Sequence, residues 1–137
     1  MKKTLLIVLI CLLLLSPHAF AEERMNYGSF WLSRQVPWRT AYVTGFQAGI
    51  VHASAMLTMQ YPEKEFIDRF WIDLDLEFAP AILVPVVTSL YEDPANSFIA
   101  PEEMLYIARD KLRGEDIDNK LTIMRKNAER LYESRKK

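Results

Sequence analysis

A chain of 137 residues with 17 basic and 18 acidic side chains, one cysteine and two histidines lacks groups that much enzyme chemistry needs. Its cysteine, Cys11, falls in an N-terminal segment that reads as a cleaved leader, so the remainder has no disulfide, no thiolate metal site and no cysteine nucleophile. The remainder keeps one histidine, His52, where catalytic zinc takes two or three.

The leader has the three parts of a secretory signal peptide: a basic start at Lys2 and Lys3, an apolar core over 5–15, and a small-x-small cleavage site, Ala19-Phe20-Ala21. The core is short for a spanning helix. Bulky Ile10 precedes Cys11, so the small residue that lipoprotein processing needs is missing. The layout is bacterial in character and predicts a mature protein that is periplasmic or secreted. The mature chain of 116 residues (137 − 21) is one domain. It divides into an N-terminal segment, 22–36, and a helical domain, 37–137, long enough to close a core without staples.

Mature net charge is 15 − 18 = −3, and it is unevenly spread. Residues 63–118 hold 5 basic and 14 acidic side chains, whereas residues 120–137 hold 7 basic and 2 acidic. Two readings stand for this tail. One is a set of solvated helix faces whose terminal cations complement a helix C-terminus. The other is a basic handle for anionic lipid, nucleic acid or an acidic partner. The aromatics are not interleaved with the tail, which argues against stacking on nucleic-acid bases.

The first mature residues, 22–29, are polar and predict a frayed end. Phe30-Trp31-Leu32 then tucks the N-terminus onto a core. Pro37 suits the first turn of a long helix, and Tyr61-Pro62 ends it. Residues 40–62 carry no charge, and the sequence predicts that the rest of the chain is organised around this helix. On a helical wheel Tyr42, Val43, Phe46, Ile50 and Leu57 form a large apolar face. Ala41, Gly45, Ala48, Gly49, Ala55 and His52 form a face of small side chains. Two helix glycines cost about 1 kcal/mol each, so this face is expected to seat another backbone, with His52 between two helices. Gly45-x-x-x-Gly49 also fits packed transmembrane helices. Against that, few residues insert well and Gln47, His52 and the hydroxyl residues oppose insertion, so the prediction is a buried helix in a domain that does not span a membrane.

A short helix is predicted from about residue 63, with Phe66, Ile67, Phe70 and Trp71 on one side. Residues 73–78 alternate polar and apolar. They read as an extended connector, or as the start of a calcium loop lacking its glycine and last glutamate. Pro85 sets the start of the next helix at Ile82 or Val84, running to Glu92, with Val84, Val87, Leu90 and Tyr91 buried. Asp93-Pro94-Ala95-Asn96 is a turn, Asn96 being tolerant of a left-handed backbone. A helix opens at Pro101-Glu102-Glu103, buries Leu105, Ala108 and Leu112, and stops at Gly114 as a C′ glycine. The last helix starts at Glu115 or Asp116 with Ile117, Leu121, Met124, Ala128 and Leu131 as one seam. The fold class expected is therefore all-α, a single-domain bundle of four to five helices around one central apolar helix.

Two stretches carry a resemblance. Leu90-Tyr91-x-Asp93-Pro94-x-Asn96-x-x-Ile99 with Leu112-x-Gly114, and upstream Tyr42-Val43-x-Gly45-Phe46-x-x-Gly49, resemble small exported helical bacterial proteins without an assigned activity. The order of elements is similar to the Rap1a/Tai immunity proteins of type VI secretion, which are helical, periplasmic and neutralise a peptidoglycan amidase. Those proteins carry cysteines positioned to pair, and the mature chain has none. The resemblance implies a protein partner and no cofactor.

Candidate chemistry is sparse. His52 is the one group that titrates near neutrality by its ordinary pKa, and no nucleophile elbow accompanies Ser54, Ser89 or Ser97. A helix-borne histidine among small residues also reads as a satisfied core side chain. Tyr91, Asp93 and Asn96 read either as a small polar site or as groups bonding turn backbone. The many carboxylates keep an enzyme acting on peptidoglycan or another envelope polymer as the alternative. A membrane-associated bundle is the second alternative. The leading expectation is a non-enzymatic protein-binding module, immunity- or inhibitor-like, with Tyr42, Gly45, Gly49, His52, Tyr91, Asp93, Asn96 and Gly114 as candidate binding or structural residues, and no metal, cofactor or nucleic acid.

Overall fold

A computed structural model describes residues 24–60 and 76–135. Within them five α-helices follow one another: α1 Tyr27–Leu32, α2 Val36–Gln60, α3 Pro80–Tyr91, α4 Pro101–Leu112 and α5 Asp118–Arg135, with a 3-10 turn at Pro94–Asn96. The expected all-α bundle is the fold. No helix among the described residues is long and apolar enough to cross a membrane. The predicted short helix after Pro62 and most of the alternating stretch, with its calcium reading, lie outside the described residues.

The N-terminal end is more ordered than its polarity predicts. The Asn26 side chain accepts from the Ser29 backbone N–H at 2.8 Å and starts α1 at Tyr27. A second orphan donor of that first turn, the Gly28 N–H, reaches the Ser97 carbonyl at 2.9 Å. Of the triplet only Trp31 is fully buried, while Leu32 faces solvent.

The organising helix is α3, not the uncharged run of α2. α3 packs against α1, α2, α4 and the 3-10 turn, burying Leu83, Val84, Val87, Leu90 and Tyr91. It is the most apolar segment of the described chain for its length, so burial on several sides costs it little. A helix like α2, with hydroxyls, a histidine and glycines, gains less from being enclosed. α3 also begins a turn earlier than Pro85 suggests, with Pro80 in its first turn. Ala81, whose carbonyl loses its donor to Pro85, is exposed like Pro85 itself, so the broken bond falls on the solvent side of the helix.

α2 contributes Val43 and Ser54 to the interior, with Tyr42 and Phe46 against the core. Its Gln47 side chain donates to the Phe78 carbonyl at 2.8 Å, tying the chain just before α3 to the middle of α2. There Leu76 is buried and Glu77 makes a tight turn at φ 60°. α4 buries Met104, Leu105, Ile107 and Ala108, with Leu112 only partly covered. α5 rests on the core through Leu121 and Met124, with Ile117 just before its start packed there too. Its expected seam fades toward the C-terminus, where Leu131 is exposed.

Candidate functional site

The turn after α3 brings Tyr91, Asp93 and Asn96 together, as the sequence suggests, and adds Arg125 from α5. Tyr91 is buried and donates its hydroxyl to the Ile99 carbonyl at 2.8 Å. Burial, then the negative charge of Glu102, holds its pKa above the ordinary tyrosine value. Asp93 accepts from the Ala95 N–H at 2.9 Å and so caps the 3-10 turn. Buried Asn96 donates to the Leu90 carbonyl at 2.7 Å and accepts from Arg125 Nε at 2.9 Å. Arg125 also reaches Asp93 Oδ2 at 2.8 Å. Asn96 does not take a left-handed backbone; among described non-glycine residues only Glu77 has positive φ. Its value is its two-ended amide, which satisfies the Leu90 carbonyl near the end of α3 and holds Arg125 of α5. Every buried side-chain polar atom among the described residues has a partner. The turn is thus a structural network in which Tyr91, Asp93 and Asn96 each bond a protein partner.

A second network joins α1, α2 and α3. The Thr88 hydroxyl donates to the Val84 carbonyl at 2.7 Å. It accepts from Trp31 Nε1 at 3.1 Å and from Arg39 at 2.9 Å. Arg39 also caps the C-terminal end of α1 through the Leu32 and Arg34 carbonyls. Trp31 lies edge-on to Tyr42 at 5.9 Å and tilted against Tyr91 at 6.1 Å. Tyr42 donates its hydroxyl to Glu102 of α4. Burial first, then that carboxylate, pushes its pKa well above the usual phenol range.

The small-residue face of α2 departs from expectation. Ala41, Gly45, Ala48, Gly49, His52 and Ala55 are all exposed. A Cβ added at Gly45 or Gly49 meets nothing within 4 Å among the described residues. The helix instead turns its large apolar side inward, because those residues gain more from burial than a face of methyls and hydrogens does. The close approach of two backbones occurs at Gly28, where a Cβ would lie 3.0 Å from the Ser97 Cα and 3.1 Å from the Tyr91 ring. His52 is exposed, and no packed pair of helices among the described residues encloses it. The outward face also carries Val51 at 57 %, Met56 at 57 % and Met59 at 81 % exposure.

Gly114 has φ +77°, as a C′ glycine should. Its N–H bonds the Lys111 carbonyl and the Glu115 N–H bonds the Asp110 carbonyl, a Schellman ending for α4. Just before it, buried Asp110 takes Arg109 on one oxygen and Lys120 on the other, at 2.8 and 2.7 Å. Lys120 continues to Glu115 at 2.5 Å. Sequence reasoning missed Arg24, Gly28, Arg39, Thr88, Glu102, Asp110 and Arg125. Their partners are remote in the chain or lie across a turn, and no local pattern marks them. Arg24, for one, sits 3.8 Å over the Phe98 ring and 5.4 Å from that of Tyr132. No protein-family model, curated protein or solved structure matches this chain.

Proposed function

We propose that the protein works, after export to the periplasm or beyond, as a non-enzymatic binding module whose partner is another protein of the cell envelope. The supporting observation is the outward face of α2. From Thr40 to Gln60 it has no charged residue, yet that face is exposed, with Val51, Met56 and Met59 beside Gly45, Gly49 and Ala48. A solvated helix face normally carries charge. A flat uncharged face flanked by methionine and valine suits a partner helix laid along it, the small residues letting the backbones approach and methionine adapting to the partner's shape. An immunity or inhibitor role, as in the Rap1a/Tai proteins, is one form of this function.

The test is a pair of variants. Met56→Glu with Met59→Glu changes only exposed side chains, so the fold survives, while a purified one-to-one envelope complex weakens at least about a hundredfold. Cross-linking from Val51 in living cells identifies the partner. Absence of any adduct from this face, together with turnover of an envelope polymer by the purified protein, supports the carboxylate enzyme instead.

A further inference from the structure

The corner between α1 and α2 is a separate surface with its own chemistry. Residues 32–38, Leu-Ser-Arg-Gln-Val-Pro-Trp, are exposed without interruption. Leu32 is 40 %, Val36 60 % and Trp38 38 % exposed. The Arg34 guanidinium lies 4.3 Å above the Phe30 ring and 5.5 Å from that of Trp38. Phe30 and Trp38 meet edge to face at 5.5 Å, and Trp38 stacks on Tyr42 at the same distance. No carboxylate among the described residues pairs with Arg34, and residues 24–60 contain no acidic side chain at all. Glu102, which reaches this cluster from α4, is held by the Tyr42 hydroxyl.

We propose that this corner docks on the surface of an anionic phospholipid bilayer. Tryptophan, phenylalanine and arginine are the side chains that settle at the headgroup level, an aromatic body toward the acyl chains and a cation toward phosphate. Leu32 and Val36 supply the shallow apolar insertion, and the segment 24–60 that carries them contributes no carboxylate of its own to oppose anionic headgroups. The contact is peripheral, in keeping with the absence of a spanning helix among the described residues. It does not depend on the outward face of α2.

The full chain carries a second apolar segment at its N-terminus, so the test must be local. In a Cys11→Ser background, an environment-sensitive fluorophore is placed at Val36→Cys, and in a second protein at Met59→Cys. Both are titrated with vesicles of phosphatidylcholine alone or with about a third phosphatidylglycerol. The expected result is a blue shift at position 36 with the anionic vesicles, weaker with the neutral ones, reduced by salt, and absent at position 59. Arg34→Gln should weaken the response about fivefold, the value of one interfacial cation. Leu32→Ser with Val36→Ser should abolish the response of a label at exposed Gln35→Cys, compared with the same label without the serine changes, while thermal melting stays unchanged. No shift at position 36 with any vesicle overturns the proposal. So do equal shifts at both positions, or a cross-link from position 36 to a protein in cells without any vesicle response.

Discussion

Asp110 shows how one side chain couples two helices to solution pH. Burial pushes its carboxyl pKa up, but hydrogen bonds from Lys120 and Arg109, with their charges, outweigh that and leave it below the ordinary 3.8. A carboxyl whose pKa falls on folding contributes stability that is present in full above the unfolded value and is lost as pH drops through the folded one. Lys120 runs the other way. Its bonds to Asp110 and Glu115 raise its pKa above 10.5, so its share is present below that value and fades as pH climbs through the folded one. Asp110→Asn is therefore expected to destabilise the protein by about 2 kcal/mol at pH 7. Urea denaturation should show the gap from wild type closing below pH 3.8. A gap of the same size at pH 7 and pH 3 would refute this account. Such a residue was invisible in the sequence, where Arg109-Asp110-Lys111 reads as ordinary surface charge. Its burial comes from the neighbours that fold over it. Tyr91, Asp93 and Asn96 were legible as a cluster because turn chemistry is local; Arg125, 29 residues beyond Asn96, was not.

Glycine gives opposite lessons in α1 and α2. Gly45 and Gly49 sit in an exposed helix face with no described neighbour within 4 Å of an added Cβ. Replacing each with alanine should stabilise the protein by about 0.5–1 kcal/mol, since the methyl meets no obstacle and restricts the unfolded chain. Under the proposed function the same changes weaken partner binding, so stability and affinity move in opposite directions. Gly28→Ala should destabilise by about 1–3 kcal/mol, because the methyl presses on the Ser97 backbone and the Tyr91 ring. Thermal melts of the three single variants decide the matter, and a loss of stability at Gly45 would mean that its face is clasped after all. Helix positions were mostly readable from proline, glycine and apolar spacing. Which face turns inward was not, because a small-residue face suits a backbone neighbour equally well in the same chain or in another. The start of α3 was misread because Pro85 breaks a bond only on the solvated side, where the loss is small.

At the scale of the whole molecule, stability is graded outward from α3. Its buried residues come into contact with every described helix before α5. By contrast, α2 beyond Gln47 leaves solvent only at Ile50, Ser54 and Leu57. Amide exchange is expected to be slowest in α3, at the limit of global unfolding. It should be faster by about 2 kcal/mol or more of protection in residues 48–60 and in the last two turns of α5. Uniform protection along α2 would contradict the grading. The uncharged run of α2 drew attention in the sequence by its length, yet the shorter α3 is the better core element. Apolar density, more than length or lack of charge, marks a segment that can be enclosed.

The position of that hub along the chain also sets an order of assembly. Among the described residues before 80, the buried Trp31, Val43 and Leu76 belong to a core whose centre is a helix not yet synthesised, so an emerging N-terminal half lacks the surface on which those side chains close. Closure waits for the middle of the polypeptide and then runs toward both ends. A chain threaded through a narrow channel while still growing would keep its first half slack until α3 emerged on the far side.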